Sequence, residues 1–434
     1  LREGAAAVLR ANDAGGWTRP GRDLYPHRWS WDAAFIAIGL AHLDPARAAA
    51  ELAGVLDRQW TSGLVPHIVY TPGVGPDVYF PDASRWGTER AAAAPIGEPR
   101  PSGICQPPVH AVAARRIWQL SRRGDDVRAA IAHLYPRLLS WHRYLAETRD
   151  PEGSGLVTIV HPWESGTDNS PRWDDALGRV TAGDDLPPYE RADLRHVPDP
   201  SMRPTDADYD RYLWLVERLK RVRYDDDAVL RGHPFRVKDV LLTAVLVAAN
   251  VCLLELADEL EASADHKAEI RMWVERSTAA LATACDPNDG LCRDRDALGG
   301  GSGHPRTVAG FAPLVAGTAS PRLARRLVDV LGSADFCGHP DLRWPLPPST
   351  SPADPAFHPR RYWRGPVWPV TVWLLWQGLE RLGEHEAAGD LREAALAQAG
   401  SVGFPEYLEP FTGEPLGSRD QSWTAAVVLD WLCG

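Results

Sequence analysis

Apolar residues recur mostly at helical spacing along this chain, in pairs of segments with different degrees of burial. Residues 31–43 are almost wholly small or apolar, which predicts a helix buried on most sides. In residues 46–60 apolar side chains recur every three or four positions, which predicts a helix with one buried face. Such a succession is typical of an inner and an outer layer. The same alternation returns at residues 108–123 and 125–148, 237–260 and 264–285, 306–315 and 321–331, and 365–382 and 384–399.

Long segments rich in proline, glycine and aromatic residues separate these pairs. Segments of such length without apolar periodicity are usually functional or disordered, and their Trp, Tyr, His, Asp and Arg content favours ordered, functional loops. No comparable strand pattern with period two is visible, which disfavours a Rossmann or (β/α)8 fold. A solenoid lacks support because no fixed-period repeat is visible. The segments span residues 63–106, 150–229, 286–305 and 333–364.

The remaining prediction is an all-α fold in which the helix pairs close into a ring, the (α/α)6 barrel or toroid. We expect residues 1–434 to form a single catalytic domain. Its cap is expected to be built from the long inter-helix loops, with insertions at approximately 63–106 and 150–229.

The net charge and the hydropathy of the chain argue against some classes of binding partner. The formal net charge is −11 and no basic run is present, which argues against nucleic acid and an anionic membrane surface. The most hydrophobic stretch, residues 240–254, contains Thr243 and Asn250 and is shorter than the roughly 18 to 20 apolar residues of a membrane span. The lack of a signal-peptide pattern predicts a cytoplasmic protein, although Leu1 in place of Met leaves the native N-terminus open.

The six cysteines are scattered without a C-x-x-C pair. This favours reduced thiols, with a disulfide between Cys285 and Cys292 as the minor alternative. Cys337 and His339 alone are too few ligands for zinc, so we expect neither a metal nor another cofactor. The oligomeric state stays open, and a homo-oligomer is among the alternatives.

Four segments collect side chains suited to sugar chemistry in a chain with 18 Trp and only 8 Phe. Indole rings offer sugar C–H groups an apolar platform, and carboxyl groups accept hydroxyl hydrogens or transfer protons. Each segment also has a plain structural interpretation, as a solvated acidic turn, a helix start or a hydrophobic plug. The segments are residues 25–32 (YPHRWSWD), 161–175 (HPWESGTDNSPRWDD), 362–369 (YWRGPVWP) and 403–414 (GFPEYLEPFTGE).

The second and fourth segments each offer carboxyl groups for glycoside hydrolysis. In that reaction one carboxylic acid protonates the leaving oxygen, while a second carboxylate attacks or activates water. The residues alone leave Glu164, Asp174, Asp175 and Glu409 open beside Asp168 and Glu406.

In this order, and over nearly the whole chain, the four motifs resemble glycoside hydrolase family 63, in particular its enzymes for glucosylglycerate and mannosylglycerate. WESGxDNSPRWD is highly specific, whereas RGPxWP and FxEYxxPxTG are also related to trehalase-like motifs. The resemblance implies an (α/α)6 barrel with a loop-built cap and inverting hydrolysis without a metal. It also implies Asp168 as general acid and Glu406 as general base. Asp168 should then be protonated at rest, its pKa raised by an apolar neighbour such as Trp163, and Glu406 ionised.

The resemblance also implies the binding residues. Asp32 is a candidate to accept hydroxyl hydrogens of the sugar, and Arg203 to bind a carboxylate with its guanidinium. A salt bridge from Arg203 to Asp206 or Asp208 is the structural alternative. The walls of the hexose site would be Tyr25, Trp29, Trp31, Asp32, Trp363 and Trp368, and the glycerate site would use Tyr79, Gln106, Arg203, Tyr209 and Gln421.

The predicted function is therefore hydrolysis of an α-hexosyl-glycerate, a compatible solute with a carboxylate aglycone, to hexose and glycerate. Glucose is favoured over mannose by the closeness of the full motif set. The first alternative is an α-glucosidase of the same family that acts on a neutral disaccharide or oligosaccharide. The second is a non-catalytic sugar-binding toroid whose tryptophans serve packing.

Overall fold

The computed structural model describes residues 1–122, 126–191, 193–196, 199–299 and 304–433. It is mostly helical, which confirms the prediction of a helical fold. Its α-helices are α1 (Arg2–Ala11), α2 (Ser30–Ala41), α3 (Pro45–Leu56), α4 (Ala83–Trp86), α5 (His110–Leu120), α6 (Asp126–Arg143), α7 (Asp174–Gly178), α8 (Asp206–Arg221), α9 (Asp226–Gly232), α10 (Val240–Glu259), α11 (Ala264–Ala284), α12 (Ala312–Ala316), α13 (Pro321–Leu331), α14 (Pro369–Leu382), α15 (His385–Val402) and α16 (Ser422–Cys433).

Short strands join the loops between these helices. The first two strands pair antiparallel, the next three form an antiparallel sheet in chain order, and the last two form a hairpin. Strands this short leave no alternation for a sequence pattern to detect. They are β1 (Arg28–Trp29), β2 (Ile68–Val69), β3 (Thr158–Ile159), β4 (Val237–Lys238), β5 (Arg295–Asp296), β6 (Tyr407–Leu408) and β7 (Pro415–Leu416).

Six of the helices contact one another in a closed order. Helix α2 contacts α5, α5 contacts α10, and α12, α14 and α16 follow in turn until α16 contacts α2 again. A second helix packs on each: α3 on α2, α6 on α5, α11 on α10, α13 on α12, α15 on α14 and α1 on α16. Every residue of α2 is buried, whereas α13 buries little more than one face. The five helix pairs predicted from the apolar pattern are confirmed, and α1 with α16 is a sixth that it missed.

Local sequence signals set where several of these helices begin. The Asp44 carboxylate accepts hydrogen bonds from the backbone N–H groups of Ala46 and Arg47, at 3.0 and 3.1 Å, and so caps α3. Pro45 stands in the first turn, where a missing N–H costs little. Asp239 caps α10 in the same way. These aspartates stabilise helix starts.

Helix α10 corrects one argument made from the sequence. By length and composition it could cross a membrane, since it has 20 residues and a mean hydropathy of 2.3 in its most apolar window. Residues 255–259 extend the helix beyond the apolar run of residues 240–254, so length alone does not exclude a span, but the prediction of an inner helix is confirmed. Its apolar surface is nevertheless covered, because 83% of that window is buried inside the protein. Contacts with α5, α11 and α12 provide the cover.

Helix α12 is shorter than the segment 306–315 suggested. A 3-10 turn (Val308–Phe311) precedes it, and Pro313 lies in its first turn. Because proline has no backbone N–H, Pro313 cannot donate a hydrogen bond to a carbonyl of the preceding turn. Gly317 ends the helix with a left-handed backbone (φ +68°). The inner layer at this point is one and a half turns of α-helix extended by the 3-10 turn.

The preference for reduced cysteines is wrong at one pair. Cys285, at the end of α11, and Cys292 form a disulfide across an antiparallel bridge that closes a tight turn. Among the described residues Cys105, Cys252, Cys337 and Cys433 are free. The turn brings the two thiols together, and this pair is the minor alternative named from the sequence.

Candidate active site

The loops that precede the inner helices meet at one place. Strand β1, which leads into α2, pairs with β2 from the next loop. The backbone N–H of Trp31 donates to Oε1 of Gln106 (3.4 Å), and Ser30 Oγ lies 3.0 Å from His110 Nε2 at the start of α5. The starts of α2 and α5 are thereby fixed side by side.

A cavity of about 130 Å³ opens beside these helix starts. It brings together residues that are far apart in the chain, from residue 24 to residue 362. Eight of the sequence-predicted site residues line it: Tyr25, Trp29, Tyr79, Gln106, Trp163, Asp168, Arg203 and Tyr209.

The other predicted site residues do not line the cavity itself. Trp363 and Trp368 stack with ring centroids 3.8 Å apart, and the ring centroid of Trp31 lies 6.4 Å from that of Trp363. Asp32 and Gln421 are buried, and Oε1 of Gln421 has no hydrogen-bond partner among the described residues. Glu406 is buried and reaches the cavity wall through Tyr25. The binding roles of these side chains stay predictions.

Glu406 is held from two sides. Its Oε1 accepts a hydrogen bond from the hydroxyl of Tyr25 (2.6 Å), and its Oε2 accepts one from the backbone N–H of Ser418 (2.9 Å). Gly417 allows this close approach, because it has a left-handed backbone (φ +68°) and a Cβ there would collide with Oε2 of Glu406. Both hydrogen bonds favour the ionised carboxylate.

The segment that carries Asp168 is anchored by its neighbours. Arg172 donates to Oγ1 of Thr167 (3.3 Å) and pairs with Asp239 and Asp294. The side-chain Oδ1 of Asn169 accepts from the backbone N–H of Trp363 (2.9 Å). The contacts on both sides of Asp168 therefore hold this segment of the chain in place.

The other carboxyl groups of these two motifs have structural partners. Glu164 is buried in a bidentate pair with Arg149, at 2.7 and 3.0 Å, and also accepts from backbone N–H groups. Asp174 pairs with Arg364 at the surface. Glu409 accepts hydrogen bonds within its own turn, and the exposed Asp175 lines a different pocket. These positions favour Asp168 and Glu406 as the reacting pair.

Burial controls the protonation of the site. It raises the pKa of Asp168 to about 7, against the opposing charge of Arg203. Burial also raises the pKa of Glu406, while Arg203 and the hydrogen bond from Tyr25 oppose the rise. The pKa of Asp32 is raised well above its ordinary value by burial, and the charges of Glu406 and Asp168 add to the rise. A protonated Asp32 can donate as well as accept hydrogen bonds from sugar hydroxyls.

The environments of Asp168 and Glu406 differ in one respect. Glu406 receives one hydrogen bond from a side chain and one from the backbone N–H of Ser418, whereas the Asp168 carboxyl receives none from a side chain of the described residues and one from its own backbone N–H. Because hydrogen-bond donors stabilise the charged form, these contacts favour the ionised carboxylate more at Glu406 than at Asp168.

Arg203 places a positive charge in the cavity wall. Its guanidinium carbon lies 4.9 Å from the centre of the Tyr362 ring, and within the described part of the chain it forms no ion pair. Asp206 pairs instead with Arg191 (2.9 Å), and Asp208 pairs with Arg211 (3.2 Å). The salt-bridge alternative for Arg203 is therefore wrong, and its guanidinium is available to an anion.

Several lining residues escaped prediction. Tyr212 lies one helical turn after Tyr209 in α8, so the spacing of the two tyrosines was an available signal. Tyr362 belongs to the third motif but was not singled out. His67 and Asp193 also line the cavity, and they come from the long segments 63–106 and 150–229, where no pattern distinguishes them. No cluster of three or more potential metal ligands occurs within the described ranges.

Comparison with known proteins gives the family. The model for the mannosylglycerate hydrolase MGH1-like glycoside hydrolase domain matches residues 25–424. Glucosylglycerate hydrolase of Mycolicibacterium hassiacum is 47% identical over 433 residues, which cover 99% of this chain and 96% of that protein. Mannosylglycerate hydrolase of Thermus thermophilus is 40% identical over 98% of this chain and 99% of that protein.

A solved structure agrees with these matches. The crystal structure of the family 63 mannosylglycerate hydrolase from Thermus thermophilus, in complex with Tris and D-glycerate, superposes with a TM-score of 0.89. The identity is 40%, and 99% of both chains is covered. The present chain therefore belongs to glycoside hydrolase family 63, among the MGH1-like domains, and it is a glycoside hydrolase.

Proposed function

We propose that this enzyme hydrolyses glucosylglycerate, with mannosylglycerate as a second substrate of the same class, and releases hexose and glycerate. The activities of the relatives support this substrate class. Membership of a hydrolase family also speaks against a non-catalytic sugar-binding toroid. The observation that carries the proposal is Arg203, a guanidinium in the cavity wall without a carboxylate partner among the described residues. An anionic aglycone would supply that partner.

We infer that the closed order of six inner helices, each with an outer partner, is an (α/α)6 barrel. The insertions at about residues 63–106 and 150–229 form its cap within a single domain. This assignment is supported by the cavity, because its lining comes from the starts of the inner helices and from both insertions.

The proposed mechanism inverts the configuration at the anomeric carbon of the sugar. Asp168 gives its proton to the glycosidic oxygen as the bond from that oxygen to C1 breaks. A water on the opposite face attacks C1 and gives a proton to Glu406, which Tyr25 and Ser418 hold in place. Such enzymes keep the two carboxyl groups about 6.5 to 9.5 Å apart to leave room for the water. Proton exchange with solvent then restores both groups.

Removal of the Arg203 charge tests the substrate class. We expect Arg203→Ala to lower kcat/KM for glucosylglycerate about 100-fold, because the carboxylate would lose a charge-assisted partner in a dry cavity. Because Arg203 also lowers the pKa of Asp168 and of Glu406, its loss should slow hydrolysis of the neutral analogue glucosylglycerol as well, but by a clearly smaller factor than hydrolysis of glucosylglycerate. Steady-state kinetics on both substrates measures this difference.

Arg271→Ala is the matched control, because it removes one positive charge from the exposed face of α11. It should leave both rates unchanged. Equal kcat/KM values of Arg203→Ala and wild type on glucosylglycerate would refute anion recognition and favour an α-glucosidase for neutral substrates.

A further inference from the structure

Two buried polar atoms beside the cavity lack hydrogen-bond partners among the described residues: the hydroxyl of Tyr407 and Nε of Arg203. Tyr407 is completely buried and directly follows Glu406 in the chain. A buried donor or acceptor without a partner destabilises the fold, so most such groups find one in the functional state. The two atoms offer complementary chemistry, since Nε–H donates and the phenolic oxygen accepts.

Tyr407 is rigidly placed. Its ring stacks on Trp368 with centroids 4.4 Å apart and an angle of 19° between the planes. Its backbone pairs with Leu416 in the β6–β7 hairpin. The hydroxyl therefore has one well-defined position, fixed by the same hairpin that supports Glu406.

Tyr362 brings Arg203 and Tyr407 into one cluster. The ring of Tyr362 meets Tyr407 edge-on, with centroids 5.5 Å apart, and the guanidinium carbon of Arg203 lies 4.9 Å from the same ring. Burial raises the pKa of Tyr407, and among the neighbouring charges Arg203 opposes this most. The phenol is therefore neutral, and the positive charge of Arg203 acts on it.

We propose that Tyr407 is a positioning residue of the aglycone site, whose hydroxyl oxygen accepts a hydrogen bond from Nε of Arg203 when a carboxylate binds the guanidinium's Nη atoms. This inference rests on the proposed function. The bond to Tyr407 sets the plane of the guanidinium so that both Nη atoms face the anion. Of these two adjacent residues, Glu406 is then the proposed base and Tyr407 positions the anion site, and the same β6–β7 hairpin holds both.

Tyr407→Phe tests the inference, because it removes the hydroxyl and keeps the stacked ring. We expect the KM for glucosylglycerate and the Kd for D-glycerate to rise about tenfold, as for a lost hydrogen bond to a charged group. We expect kcat to fall less than threefold. Kinetics and isothermal titration calorimetry with D-glycerate provide the readouts.

Tyr135→Phe is the matched control. It also removes a buried hydroxyl that has no hydrogen-bond partner in the described part of the chain, but on the outer helix α6. It should change neither the KM nor the Kd. In an Arg203→Ala background, Tyr407→Phe should have no further effect on D-glycerate binding, because the two groups act as a pair.

The outcomes separate this inference from the proposed function. Wild-type affinity of Tyr407→Phe for D-glycerate, with weak binding by Arg203→Ala, would overturn the role of Tyr407 alone. An equal loss from Tyr407→Phe with and without Arg203 would also overturn it, since the hydroxyl would then act independently. Unchanged D-glycerate binding by Arg203→Ala would instead refute the anion site on which the proposed function rests.

Discussion

Asp168→Asn should hydrolyse glucosylglycerate about 10³-fold more slowly than wild type, the scale of a lost general acid. Asparagine has nearly the same shape but cannot protonate the leaving glycosidic oxygen, so KM should change little. The loss should nearly vanish with α-glucosyl fluoride, whose fluoride leaves without a proton. Initial rates on the two substrates provide the measurement.

Asp174→Asn is the control in the same segment, because Asp174 is exposed and pairs with Arg364. It should keep nearly full activity.

The wild-type rate should also fall as pH rises through about 7, since burial raises the pKa of Asp168 to about 7 and the acid works only when protonated. A fully active Asp168→Asn enzyme would rule out this residue as the acid.

Glu406→Gln should cause a loss of similar size, about 10³-fold in kcat, because the amide cannot take a proton from the attacking water. Azide needs no deprotonation and should restore turnover of α-glucosyl fluoride, with β-glucosyl azide as the product. Nuclear magnetic resonance of the product mixture identifies that compound.

Glu414→Gln removes an exposed carboxylate from the same loop, one that pairs with Arg360, and should be almost neutral. If Glu406→Gln stays inactive with azide although its fold is intact, Glu406 holds the substrate and is not the base. If it remains fully active, the base lies elsewhere.

The helical layers could be predicted because the buried face of a helix requires apolar residues at regular spacing in the sequence. Helices α2 and α3 show this: one is buried all round, and the other has a single apolar face. Helix α1 escaped because it has only 10 residues and no side-chain cap, so no local signal marks its start. Its place in the fold comes from packing on α16, a contact between the two ends of the chain.

The site was predictable in part. Asp168 and Glu406 stood out through specific motifs, and the cavity collects eight of the expected residues. His67 and Asp193 did not stand out, because contacts between segments distant in sequence place their loops at the cavity, whereas the spacing of Tyr212 from Tyr209 in α8 was a usable signal. The buried ion pair between Arg149 and Glu164 is an example of such a contact, and no periodic pattern in the sequence predicts it.

Proton nuclear magnetic resonance of the purified enzyme with glucosylglycerate is the most direct test of the proposed reaction. We predict that glycerate and glucose appear together and that the β-anomer of glucose forms first, before mutarotation produces the α-anomer. Intact glucosylglycerate after prolonged incubation would contradict the proposed substrate, and α-glucose as the first product would contradict inversion by Asp168 and Glu406.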